Sequence, residues 1–208
     1  EAGLFNVSAI IMGWISIEAL AAHQILLQCT EVAFMCFCCC SNSLHPHCSC
    51  DWKEKLRWNN TVFINIGIGI VLACIVGLIY FTNHQKLTHI FINAEKDQDL
   101  IIYNLTKDFF RIAIIFIFFD ALQIIGNNVL RSMNDAYISM ILSLGSYWII
   151  GVGAAYFFGF ILQWNGNGIW FGLTLGIAVS AVTLWACFYY LLFKSGTQLS
   201  LLKVTPKN

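Results

Sequence analysis

Apolar residues run along this chain in blocks of about twenty. Short polar stretches separate the blocks, and none shows the period-2 alternation of a half-buried strand. A helix crossing the hydrocarbon core needs roughly 20 mostly apolar residues. Only helices and closed barrels satisfy the backbone in lipid. The pattern therefore predicts an all-α, polytopic membrane protein with about six transmembrane helices, over residues 2–17, 19–40, 62–81, 109–130, 136–160 and 168–193. The first block is a little short, and the third carries no charge. The long link at 82–108 contains an amphipathic stretch, "KLTHIFINAEKDQDL", expected as a surface helix between spans three and four.

Composition sharpens the picture. Of the 208 residues 59% are hydrophobic and 11% charged, and mean hydropathy is +0.73. Soluble domains carry about 25% charged residues, so lipid is the simplest solvent for this surface. The net charge of zero gives no pull towards nucleic acid. The two prolines, Pro46 and Pro206, lie outside the blocks. The chain opens on Glu1 inside an apolar run, with no basic n-region and no cleavage site. It is expected to be a fragment.

Lysine and arginine in the links set orientation. One side collects seven: Lys53, Lys55, Arg57, Arg131, Lys194, Lys203 and Lys207. The other collects three, Lys86, Lys96 and Lys107, diluted by Glu95, Asp97, Asp99 and Asp108. This predicts a cytoplasmic C-terminus, with residues 1–193 forming the membrane domain and 194–208 a cytoplasmic tail. The location expected is the cell inner (plasma) membrane.

Ionisable groups inside spans are the informative positions, since each costs roughly 2.5–3.5 kcal/mol at mid-helix on insertion scales. Asp120 lies in "FRIAIIFIFFDALQIIGNNVLRSMND". Gln123, Asn127 and Arg131 follow at offsets that share its helical face. An aspartate there either takes up and releases a proton, ligates Na⁺ with neighbouring oxygens, or serves as a structural hydrogen-bonding group. Glu31, one turn after Gln28, either lines a cavity or pairs with a neighbour. Arg111 is placed to snorkel to the interface. His23 reads as a packing or capping residue. The small-residue runs "GIGI", "GVGAA" and "GLTLG" let helices approach closely.

"CFCCCSNSLHPHCSC" offers a metal reading through Cys36, Cys38, Cys39, Cys40, His45, His47, Cys48 and Cys50. Zinc sites favour C-x₂₋₄-C pairs, and the first four cysteines are adjacent or one apart, so no metal is expected. The remaining cysteines, Cys29, Cys74 and Cys187, read as buried small hydrophobes.

"GWISIEALAAHQI", then "FFDALQIIGNNVLRSMND", then "SYWIIGVGAAYFFGF…GNGIWFGLTLGIAV" resemble the multidrug and toxic compound extrusion (MATE) family in its NorM-like branch. The resemblance covers nearly the whole chain outside residues 36–58. It implies the C-terminal half of a two-lobe transporter whose N-terminal lobe is missing here. It implies an antiporter exporting small cationic or amphipathic drugs in exchange for Na⁺ or H⁺, with no enzymatic chemistry and no other cofactor. By the same resemblance Asp120 and Glu1 match the acidic residues of the cation site, and Gln123, Asn127 and Asn6 line the cavity. Membrane lipid is the other expected partner.

Three alternatives stand beside this one. The first is a lipid-linked saccharide flippase of the same architecture, although such proteins carry basic cavities and the candidates here are acidic. The others are a metal-binding membrane protein and an inactive half-transporter. Residues 36–58 depart from the family where it continues as a small-residue helix and a basic, glycine-containing turn. Cysteine codons read one base later give alanine or valine. A local frame shift is therefore expected across this segment.

Overall fold

The computed structural model describes residues 2–43, 52–91, 97–132 and 136–202, and all its regular structure is helical. The elements are α1 (Ala2–Ile15), α2 (Ile17–Ser43), α3 (Trp52–Phe91), α4 (Asp97–Ser132), α5 (Ala136–Gly145), α6 (Val152–Tyr156) and α7 (Asn165–Leu202). Two π-helical segments, Ser146–Gly151 and Phe157–Ile161, join α5 to α6 and extend α6. Five stretches are long and apolar enough to cross a membrane: Ile17–Cys39, Val62–Asn83, Leu100–Arg131, Tyr137–Ile161 and Asn165–Leu191. The expected first span forms the 14-residue α1, about 21 Å long against a core of about 30 Å.

Ser16 separates α1 from α2. Its Oγ accepts the amide of Ala19 at 3.0 Å, a helix N-cap, and Glu18 sits in the first turn. The two helices fold back on each other. Ser8 and His23, which a straight helix would hold about 22 Å apart, meet at 3.1 Å.

The amphipathic stretch expected as a separate surface helix is not one. α3 runs on to Phe91 and α4 starts at Asp97. No glycine or proline interrupts residues 78–91, Thr88 is buried, and Leu87 packs against the core. At 40 and 36 residues, α3 and α4 are about 60 and 54 Å long, well beyond the bilayer core.

α4 is the central helix and packs on α2, α3 and α7. Phe109, Phe110, Ala113, Phe116 and Ile117 along it are buried. Trp170 of α7 sits at the middle of the core, 5.6 Å from Phe116 and 5.3 Å from His23. His23 is therefore a packing residue, fully buried and bonded to Ser8. The large hydrophobics left exposed, such as Phe63, Val71, Phe81 and Ile149, form the surface a bilayer would solvate.

α7 meets the bulged α5–α6 helix at backbone distance. Glycines at intervals of four make this possible. A Cβ on Gly168 would lie 2.5 Å from the Phe158 carbonyl carbon, one on Gly172 2.2 Å from the Ala155 nitrogen, and one on Gly176 2.5 Å from the Gly151 Cα. The reversal before α7 is tight, with Gln163 and Asn165 both at positive φ.

Candidate functional site

The polar face of α4 is turned into the bundle. Asp120 is 4% exposed and Gln123 1%. Burial fades along the stripe, since Asn127 is half-buried and Arg131 exposed. Eight apolar residues, 112–119, separate Asp120 from Arg111 on its own helix. The carboxylate therefore sits well inside the span, and it is not isolated there.

The partners of Gln123 and Asn127 on this face come from α5, the bulged helix and α7. Gln123 Nε2 donates to the Tyr147 hydroxyl, which lies in the first π-helical segment. Its other amide atom, Oε1, is buried with no hydrogen-bond partner among the described residues. Asn127 Oδ1 accepts from the hydroxyls of Ser139 and Ser143, the latter at 3.2 Å. Ser180 of α7 donates on to Ser143 at 3.4 Å. Trp185 Nε1 fixes α7 to α4 by donating to the Leu122 carbonyl at 3.1 Å. The result is one buried polar layer joining α4, α5, the π-helical segment and α7. A carboxylate and an unused amide oxygen one helical turn apart are hard oxygen donors of the kind Na⁺ takes. A buried carboxylate can equally carry a proton.

Asn6 lies elsewhere, exposed on the outward side of α1. Gln24, Gln28 and Glu31 are exposed along one face of α2, and Glu31 forms no ion pair among the described residues. These spacings of four and three place the trio within one stripe. The sequence expectations thus divide between a buried layer holding Asp120, Gln123 and Asn127 and an outward polar face holding Asn6. Glu1 lies outside the described residues. Arg111 is exposed and contacts Asp108 at 3.4 Å, as expected of a residue at the interface.

Tyr147, Ser139, Ser143 and Ser180 are members of the buried layer that the sequence reading did not single out. The signal was there for two of them: Ser139 and Ser143, four apart in an apolar block, share a helical face. Asn65 of α3 is also buried, beside a narrow cleft lined by Phe37, Ala121 and Ile125.

Cys36 and Cys39 are exposed and Cys38 half-buried at the end of α2. Among the described residues no group of three or more His, Cys, Asp or Glu is placed to hold an ion. The side chain of Cys40, and His45, His47, Cys48 and Cys50, lie outside the described residues, as do residues 44–51 of the segment expected to be frame-shifted. Cys74 is exposed and Cys29 and Cys187 are half-buried, so the three are not the buried small hydrophobes expected.

The MatE family profile matches residues 1–157. The probable multidrug resistance protein NorM of Xylella fastidiosa (strain 9a5c) is 31% identical over 191 residues, covering 88% of this chain and 39% of that protein. The proteins of the same name from Pseudomonas syringae pv. tomato and Agrobacterium fabrum are 30% and 31% identical, over 90% and 92% of this chain and 41% and 42% of theirs. The chain therefore spans about two fifths of the length of these relatives. Among solved structures, the eukaryotic MATE transporter AtDTX14 superposes with a TM-score of 0.75 at 18% identity, covering 89% of this chain and 41% of that one.

Proposed function

The chain belongs to the MatE family, and from that premise we propose that it forms part of a secondary active multidrug antiporter. The observation that carries the proposal is Asp120: a carboxylate 4% exposed in the middle of an apolar span, beside the unused Gln123 oxygen. Intramembrane ionisable groups mark ion paths by default. Binding of Na⁺ or H⁺ at Asp120, with Glu1 as the second acidic group, neutralises the site and shifts the transporter between its two access states. A cationic or amphipathic drug then leaves as the coupling ion enters, each weakening the other's binding by the same factor. No bond is made or broken in this cycle.

The remaining length of the relatives supplies the partner lobe. The outward face of α1 and α2, with Asn6, Gln24, Gln28 and Glu31, supports this arrangement. A glutamate and two glutamines in the middle of a span would be costly against lipid tails. Facing a cleft shared with the second lobe, they line the drug's path. The protein sits in the inner membrane with its C-terminus in the cytoplasm. The acidic character of both polar surfaces favours a cationic substrate over a lipid-linked saccharide.

The test is transport in proteoliposomes holding a two-lobe protein with this chain as its C-terminal half. Efflux of a fluorescent organic cation should start when a Na⁺ or H⁺ gradient is imposed and stop when it is dissipated. Movement that ignores both gradients would rule out antiport.

A further inference from the structure

A cleft of about 220 Å³ opens between α3 and α4, away from the polar layer, and is lined by Tyr80, Phe81, Lys107, Phe110, Arg111 and Ile114. Its depth in the membrane follows from the spans. Tyr80 and Phe81 lie within three residues of the end of the Val62–Asn83 stretch. On α4 the uncharged run begins directly after Arg111. The Leu100–Arg131 stretch has 32 residues, more than the roughly 20 that cross the core. Its first turns therefore stand in the headgroup region, and the cleft straddles the boundary between headgroups and tails.

Its chemistry is divided the same way. Phe110 and Ile114 make the inner wall, with Tyr80 set edge-on against Phe110 at 5.1 Å. Phe81 is exposed at the rim. Lys107 and Arg111, four residues apart on α4, share one helical face and supply two positive charges on the headgroup side. The nearest described countercharge is Asp108, 3.4 Å from Arg111 with both side chains largely exposed, which leaves the cluster at about +1. Arginine and lysine together suit a phosphate oxygen pair.

We infer that this cleft is a binding site for one anionic phospholipid, its phosphodiester held by Lys107 and Arg111 and the start of an acyl chain laid along Phe110 and Ile114. The lipid, rather than free phosphate, is the occupant because the greater part of the lining is apolar and because the cleft opens at the membrane boundary. A lipid of net charge −1 matches the cluster. A zwitterionic lipid brings an ammonium group that the two cations repel. The inference is independent of the transport reading.

Native mass spectrometry of the whole chain, released from nanodiscs of mixed phosphatidylglycerol and phosphatidylcholine, tests it. One phosphatidylglycerol per chain should be retained in preference to phosphatidylcholine. A basic residue near an anionic lipid surface contributes about fivefold to binding, so Lys107→Gln with Arg111→Gln should lower retention by roughly five- to twenty-five-fold, the lower end because Asp108 already offsets part of Arg111. Ile114→Trp should remove the lipid while keeping both charges. Asp108→Asn should increase retention, which loss of folding would not do. Equal retention of the two lipids, unchanged retention in the charge or cleft variants, or displacement of the lipid by millimolar inorganic phosphate would each overturn the assignment.

Discussion

Replacing Gly172 with alanine should separate two helices that now touch through their backbones. The added Cβ would lie 2.2 Å from the Ala155 nitrogen, 2.4 Å from its Cα and 2.7 Å from the Ala154 carbonyl carbon. All three are backbone atoms, so no side-chain rotation relieves the overlap. α7 must withdraw by more than about 1 Å to restore carbon contacts of roughly 3.5–4.0 Å. That withdrawal also loosens the contacts at Gly168 and Gly176, which share the face. Overpacking of this kind costs about 1–3 kcal/mol, and three backbone contacts put it at the upper end. Alanine recovers about 1 kcal/mol of helix propensity over glycine. The net loss is about 2 kcal/mol, roughly 30-fold in the folded-to-unfolded ratio. Reversible unfolding in mixed micelles, followed by circular dichroism, measures it. Gly153→Ala is the control, since nothing lies within 4 Å of its added Cβ, and it should be neutral or mildly stabilising. If Gly172→Ala unfolds no earlier than Gly153→Ala, the close approach of α7 to the bulged helix is wrong.

Three further outcomes are expected. Asn127→Leu removes the acceptor shared by Ser139 and Ser143 and should destabilise the bundle by about 0.6–1.7 kcal/mol, from the average to the largest value for polar contacts between membrane helices; the same unfolding assay reads it, and no change would remove Asn127 from the layer. Gln28→Cys and Glu31→Cys in a two-lobe protein should react with a charged, water-soluble thiol reagent, while Val71→Cys on the lipid-facing side of α3 should not. Equal protection at all three would place the α2 face against lipid or dry protein. The purified chain should carry less than stoichiometric zinc and copper by elemental analysis, and changing Cys36, Cys38, Cys39 and Cys40 to serine should leave that content unaltered.

How much of this was legible in the sequence depends on how costly each residue is where it stands. Asp120 stands out because a carboxylate in an apolar block must have a reason, and Gln123 and Asn127 follow from it by helical offset. Tyr147 and Ser180 do not stand out. A hydroxyl in a helix can satisfy itself on the carbonyl one turn back, as Ser146 does on Leu142 and Thr174 on Trp170, so its presence says nothing about a tertiary partner. The π-helical segments that carry Tyr147 into the layer have no residue pattern that announces them. The stretch at 86–100 misleads because an amphipathic end of a long helix and a separate surface helix share one pattern. What distinguishes them is the absence of a breaker before Phe91. The spans were read well because length and hydropathy are properties of whole blocks. The small-residue runs divide: Gly151, Gly172 and Gly176 stand at the helix contact, whereas nothing lies within 4 Å of a Cβ added at Gly67 or Gly153.

The antiport proposed for this chain depends on Asp120 as the group that couples an ion to drug export. The most direct measurement is gradient-driven efflux of a fluorescent organic cation by a two-lobe protein carrying Asp120→Asn, with the amount and thermal stability of the protein in the membrane measured alongside. Asparagine neither carries a proton nor offers a charged ligand to Na⁺, so gradient-driven efflux should fall to the level of protein-free liposomes, with amount and stability unchanged. Efflux equal to that of the parent protein, at equal amount, would contradict the account.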